Sequence, residues 1–298
     1  MNKQAMVFDP EWLETMYNNR INVKDSEKII ADWISQSSTF RSVLTSKNRA
    51  KTGIRYGDGE TDLLDIFLPE THNCEKGWPV LVFIHGGYWY ALGRSDLSFI
   101  ADTFVKQGIC VVVIDYALCP SVTVPEIVQQ TERAVSWIHK NIENYGGNSD
   151  KITISGHSAG GHLSAMMLAA DWAKHGYPEG QMPFRNVFTI SGLFDLKPLQ
   201  YTPFLKMLAL DDEQVRRASP VLYPAPAAGQ MICTVGKEES SEFLRQNRLL
   251  KDLWGDTVDV TVLEINNKDH FTIVSDLADE NSEISMHLKK FLTRFNEP

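Results

Sequence analysis

Cysteine is scarce in this 298-residue chain: there are four, Cys74, Cys110, Cys119 and Cys233, and no CxxC spacing among them. That excludes the common zinc ribbon and argues against a disulfide framework. Two of the four sit inside apolar runs, so buried thiols acting as small hydrophobes are expected. Basic runs are also missing. With 29 Lys+Arg against 38 Asp+Glu the formal net charge is −9, which argues against a nucleic-acid partner because phosphate binding needs clustered cations. No run reaches the roughly 18 apolar residues that would span a bilayer. The opening MNKQAMVFDPEW lacks the charged, apolar and small-residue succession of a secretory signal. A cytoplasmic protein that does not enter the membrane is the expectation. Internal repeats and low-complexity tracts are absent as well.

What remains is ordinary globular material, 43% hydrophobic and 10% aromatic, enough to fill one sizeable core. A single domain over 1–298 is expected. From Val80 onward short β-branched runs alternate with helix-like stretches, the pattern of a mostly parallel sheet with crossover helices. The strand-like runs are VLVFIH from Val80, CVVVIDY from Cys110, KITISGH from Lys151, NVFTISG from Asn186, MICTVG from Met231 and VDVTVLEI from Val258. Helices are predicted near 95–107, 125–144, 159–174, 240–254 and 280–295. Upstream, GIRYGDGETDLLDIFLP reads as a hairpin with Asp58 and Gly59 in its turn. The sum is an α/β protein with an eight-stranded sheet, antiparallel only at its start, and helices on both faces. Two segments stand outside the alternation. Residues 1–45 carry Trp12, Tyr17, Trp33 and Phe40, and residues 197–229 carry Tyr201, Phe204 and Tyr223. Both are candidates for a small lid over the carboxyl edge of the sheet, where open α/β folds bind ligands.

The stretch ISGHSAGGHLSA places Gly156, Ser158 and Gly160 between a strand and a helix. A sharp turn there forces the central residue into a strained conformation, and neighbours without a Cβ let the chain pass closely on either side. The hydroxyl of Ser158 would stand above the sheet, beside the free N–H groups of the next helix. Serine is a weak nucleophile by itself, so the pattern demands a base and an acid. In this order of elements the base follows the last strand, and INNKDHFTIV supplies His270. The acid should follow MICTVG, where GKEESSEF offers Glu239 by its offset from the glycine and Glu238 as an alternative. Asp195 and Asp115 read as structural caps.

An oxyanion needs backbone donors. FIHGGYW supplies Gly86 and Gly87 at a strand end, and the N–H of Ala159 would complete the hole. His85 would brace this loop. His157 and His162 stand too near Ser158 along the chain to act on it and read as scaffold or pocket wall. Being five apart, they also lack the HExxH arrangement of a zinc site, so no metal and no cofactor is expected. His72, His139, His175 and His287 are expected to be solvated.

Taken together, HGGYW, GHSAGGHL, SGLFDL, SSEFLRQ and KDHFTIV resemble the kynurenine formamidase (arylformamidase) family within the hormone-sensitive-lipase-like α/β-hydrolases, over about residues 50 to 290. The resemblance implies hydrolysis of N-formyl-L-kynurenine to L-kynurenine and formate in tryptophan breakdown, with Ser158, Glu239 and His270 as the triad. One departure is that animal members usually have Asp where this chain has Glu239, which leaves Glu238 open. Tyr88 and Trp89 are expected to line the acyl side of the pocket and keep it small, with aromatic lid residues on the aryl side. The partner is then a small-molecule substrate. Apolar residues of the lid segments equally fit a homodimer contact. The same machinery would also serve a carboxylesterase for short acyl groups. A silent ligand-binding relative would normally have lost a triad member.

Overall fold

The computed structural model describes residues 8–70 and 76–294. Cys74 and His72 lie outside them, as do the ends of the first lid segment and of the last predicted helix. The chain starts with three helices, α1 (Pro10–Tyr17), α2 (Asn19–Asn22) and α3 (Ser26–Ser46). Next come β1 (Ala50–Arg55), β2 (Leu63–Phe67), β3 (Trp78–Ile84), α4 (Ala101–Lys106), β4 (Cys110–Ile114), α5 (Val124–Asn141), β5 (Gly147–His157) and α6 (Ala159–Ala169). The remainder is β6 (Asn186–Ile190), α7 (Asp212–Ala218), β7 (Gln230–Gly236), α8 (Ser241–Trp254), β8 (Asp259–Ile265), α9 (Thr272–Ser275) and α10 (Glu283–Thr293).

The eight strands form one sheet in the order β1-β2-β4-β3-β5-β6-β7-β8. Strand β2 runs antiparallel to both of its neighbours, and every pairing from β4 to β8 is parallel. The sheet is therefore an α/β-hydrolase sheet of the expected size and sense. Its core follows from the two-residue period of a strand. Val80, Val82 and Ile84 of β3 join Val112, Ile154 and Val187 on one face, covered by Val135 and Ile138 of α5 and Leu163 of α6. Leu81 and Phe83 join Val111, Val113 and Phe188 on the other face, covered by Trp33 and Phe40 of α3, Phe104 of α4 and Phe291 of α10. Strands buried on both faces read as unbroken apolar runs, which is why CVVVI carried so clear a signal.

Helix boundaries shift where side chains take over backbone hydrogen bonds. The helix predicted over 95–107 opens as a 3₁₀ turn at Ser98–Ile100 before α4. Ser37 Oγ of α3 donates to the Asp96 carbonyl at 2.8 Å and accepts from the Phe99 N–H at 3.0 Å, so the entry is bonded to α3 instead of to itself. The helix predicted over 159–174 stops at Ala169, where the Trp172 indole N–H takes the Met167 carbonyl at 2.9 Å. Helix α5 ends in a 3₁₀ turn at Ile142–Tyr145, and Gly146 follows at φ 84°. Cys110, Cys119 and Cys233 are buried free thiols, and burial pushes the Cys110 thiol up to about 12. Among the described residues no helix is long and apolar enough to cross a membrane.

Candidate active site

Strand β5 delivers Ser158 to the carboxyl edge of the sheet in a strained backbone conformation, φ 56° and ψ −115°. Two hydrogen bonds hold it there: its N–H donates to the Ile190 carbonyl at 2.8 Å, and its carbonyl accepts from the His162 N–H at 2.9 Å. The flanking glycines answer a close approach of backbones. A Cβ on Gly160 would lie 2.0 Å from the Ile84 carbonyl oxygen, and one on Gly156 would lie 2.4 Å from that of Gly160. No other residue fits at either position. Ala159 is the first residue of α6, so its N–H has no carbonyl partner within the helix and stands beside Ser158.

His270 follows β8 and is 3% exposed. Its Nδ1 lies 2.6 Å from Glu239 Oε2, a distance at which the ring N–H donates to the carboxylate. That tautomer leaves Nε2 free as an acceptor. The other carboxylate oxygen, Glu239 Oε1, accepts from the Gly236 N–H at 2.8 Å and from Ser191 Oγ at 2.5 Å. Glu239 is therefore the carboxylate paired with His270, and the alternative Glu238 makes no such contact. Ser191 was not foreseen. Its sequence signal was weak but present, a hydroxyl directly after the apolar run of β6, which lies beside β7 in the sheet. Three aromatic rings box the imidazole, those of His157, Phe243 and Phe271, with centroids 4.5, 4.6 and 5.5 Å away.

The glycine loop after β3 lies opposite. Gly87 has φ 102°, and a Cβ there would meet the Ala91 carbonyl oxygen at 2.1 Å, so the loop can turn this tightly only through glycine. His85 braces the loop as expected. Its Nδ1 is 2.9 Å from the Gly86 carbonyl, and its ring stacks on Tyr116 at 4.1 Å. Asp115 does more than cap a turn. It accepts from the Arg94 N–H at 3.1 Å, pairs with the Arg94 guanidinium, and lies 3.3 Å from His85 Nε2. Burial would raise the Asp115 carboxyl, but the His85 and Arg94 contacts hold it below the usual carboxylate range. Arg94 in turn reaches the fully buried Asp65, which also binds Arg41. A chain of paired charges thus runs from α3 under the glycine loop.

Ser158, His270, His157, Gly87 and Tyr88 line one cavity with an empty volume of about 540 Å³, part of it open to solvent. Its remaining walls are mostly aromatic and apolar, including Trp33, Phe204 and Phe271. Both segments outside the strand-helix alternation contribute, but with fewer of their aromatics than expected. Phe40 packs on Phe67 under the sheet, Tyr17 donates its hydroxyl to Glu242 at 2.6 Å, and Tyr201 stacks on Phe8. Tyr223 borders a separate hollow. Trp89 also departs from expectation. It is fully buried, with its indole N–H 3.3 Å from His162 Nδ1, and its ring belongs to the core and not to the acyl side of the cavity. The reason is backbone geometry: Tyr88 and Trp89 both have positive φ, 48° and 59°, and of the two only Tyr88 lines the cavity.

His162 supports this arrangement from below, with Nε2 at 2.5 Å from the Ala218 carbonyl, and burial lowers it to about 4. His157, buried next to His270, is held well below the ordinary histidine value, first by desolvation and then by the neighbouring imidazole. A neutral His157 adds no second cation beside His270. His139 and His175 are half-buried and partnered, the former 3.3 Å from the Tyr177 hydroxyl and the latter 2.8 Å from Glu132. They are not simply solvated. Among the described residues no group of three His, Cys, Asp or Glu side chains could hold a metal ion.

The chain is similar to known hydrolases. The BD-FAE family model matches residues 64–251, well over half of the chain. A kynurenine formamidase of Danio rerio is 29% identical over 245 residues, covering 80% of each chain. The esterase LipQ of Mycobacterium tuberculosis is 28% identical over 73% of this chain and 56% of its own length. A crystal structure of a proposed thioesterase from Silicibacter sp. superimposes with a TM-score of 0.78 at 32% identity, over 91% of this chain and 96% of that one. The matched span takes in the strained serine turn, the glycine loop and Glu239, and with the eight-stranded sheet beneath them the chain belongs to the BD-FAE family of α/β-hydrolases, as a hydrolase related to the kynurenine formamidases and esterases.

Proposed function

We propose that the chain is an arylformamidase that hydrolyses N-formyl-L-kynurenine to L-kynurenine and formate, a step of tryptophan breakdown, in the cytoplasm. In this reading Ser158 Oγ attacks the formyl carbon while His270 Nε2 takes its proton, and Glu239 stabilises the imidazolium. The oxyanion is received by the N–H groups of Gly86, Gly87 and Ala159. Collapse of the tetrahedral intermediate breaks the C–N bond, and His270 returns the proton to the departing aryl amine. Water, activated by the same imidazole, then attacks the formyl-serine and releases formate, so the cycle needs no cofactor.

The observation that carries the reading is the shared cavity of Ser158 and His270, whose walls Trp33, Tyr88, Phe204 and Phe271 match an aryl group. The kynurenine formamidase relative, aligned over most of both chains, supports that choice of substrate. The likeness to the esterase LipQ favours a second reading, a carboxylesterase for short acyl groups using the same residues. Comparison of kcat/KM on N-formyl-L-kynurenine and on p-nitrophenyl acetate separates the two. The formanilide should be the better substrate. Turnover of the activated ester alone would favour the esterase, and turnover of neither would indicate a silent ligand-binding protein.

A further inference from the structure

Apart from Ser158, His157 and His270, the cavity walls are mostly apolar and aromatic except along one side, where the junction of α1 and α2 contributes Asn18, Asn19 and Arg20. The Asn18 amide is already engaged, donating to Glu14 Oε1 at 2.6 Å. Asn19 is different. It is 5% exposed, it borders the cavity, and its Nδ2 has no hydrogen-bond partner among the described residues. A buried amide donor left unpaired is costly unless a ligand satisfies it. Next to it, Arg20 is the only Arg, Lys, Asp or Glu side chain among the described lining residues. Its guanidinium makes no ion pair among the described residues, in a chain whose net charge is −9. Ser26 Oγ donates to the Arg20 carbonyl at 2.8 Å and fixes the backbone that carries this cation.

Resting on the arylformamidase reading, we propose that Asn19 and Arg20 form the subsite for the carboxylate of the substrate's amino-acid arm. N-formyl-L-kynurenine carries that carboxylate at the end of a ketone chain on the aryl ring, away from the formamide. A guanidinium and a neighbouring amide N–H are the donors that a carboxylate takes, and an Arg pair with it is geometrically selective. The aryl ring would then span the aromatic walls, with the formyl carbon at Ser158 and the carboxylate at the helical junction. The N-terminal helices would set which formanilides are good substrates, while the sheet edge performs the chemistry.

The test compares two substrates that differ only in this arm, N-formyl-L-kynurenine and 2′-formamidoacetophenone, in the wild type and in Arg20→Gln, Arg20→Lys and Asn19→Ala. The ratio of their kcat/KM values should fall about tenfold or more in Arg20→Gln, mainly through KM for the formylkynurenine, as loss of a charge-assisted pair predicts. Arg20→Lys should recover part of it, and Asn19→Ala should lower the ratio as well. Because Arg20 is exposed, its variants are expected to melt like the wild type, and this keeps the comparison clean if Asn19→Ala folds poorly. A ratio unchanged within about twofold in Arg20→Gln would overturn the subsite while leaving the arylformamidase reading intact. A wild type that cleaves neither formanilide would overturn that reading and the subsite with it.

Discussion

The turn after β5 and the helices above it solve different physical problems. At the turn, backbones pass so closely that residue type is dictated: a Cβ at Gly160 would sit 2.0 Å from the Ile84 carbonyl oxygen, and Ser158 must accept φ 56° to present its hydroxyl. On the cavity walls supplied by the segments outside the strand-helix alternation the backbone constrains residue type far less. Trp33 comes from α3, where its indole N–H also donates to Ser275 Oγ at 2.8 Å, and Phe204 comes from a 3₁₀ turn at Pro203–Leu208, where any large apolar side chain of suitable shape could fill the place. The serine turn is thus dictated locally, and the cavity around it is assembled from distant segments.

That contrast can be broken at Trp89, which sits beside the glycine loop but serves the core. Trp89→Ala should cost about 3–5 kcal/mol of stability by leaving a cavity over His162, as large-to-small changes at buried aromatics do. Its preference between formyl and butyryl esters should stay nearer the wild type's than its stability does. Denaturant unfolding together with the ester comparison checks this, and a clear gain on butyryl esters with full stability would return Trp89 to the cavity wall. A smaller effect is expected at Ser191, which touches Glu239 and no wall. Ser191→Ala removes one of three donors to that carboxylate and should lower kcat/KM by roughly tenfold, about 1–2 kcal/mol, with KM little changed. An equal loss in KM would mean that Ser191 acts on substrate binding instead.

The smallest effect concerns pH. His162 titrates at the ordinary value of 6.5 when unfolded but is lowered to about 4 in the fold, where the Trp89 indole N–H donates to Nδ1 and Nε2–H donates to Ala218. Between those values the unfolded chain binds the extra proton, so this stability is fully present above pH 6.5 and is lost progressively as pH falls toward about 4. Urea midpoints measured across that range should fall more steeply for the wild type than for His162→Gln. Parallel slopes would show that His162 is not held neutral.

Much of the sheet edge was legible in the sequence because its requirements are local. GxSxG, HGG and a histidine after the last strand each announce a backbone shape or a position in the strand order, and a buried parallel strand announces itself as CVVVI. Glu239 and Glu238 could not be separated by spacing, since only the fold decides which of two adjacent carboxylates faces an imidazole that comes from 31 residues further along the chain. Trp89 was misread for a related reason. Adjacency to HGG gives proximity to the site, but two consecutive positive φ angles turned Tyr88 to the cavity and Trp89 into the core. Ser191, Asn19 and Arg20 carry no motif. They matter through neighbours contributed by β7 and by the helices at the start of the chain, and tertiary packing of that kind leaves little trace in local sequence.

The claim on which the rest depends is that Ser158 is the nucleophile activated through His270 and Glu239. Stoichiometric labelling with a serine-reactive phosphonate, read by intact mass and peptide mapping, tests it most directly. One equivalent should add to the wild type, on the peptide that contains Ser158, with no addition to Ser158→Ala and slowed addition to Glu239→Gln. Labelling of another serine, or full labelling of Ser158→Ala, would contradict the account.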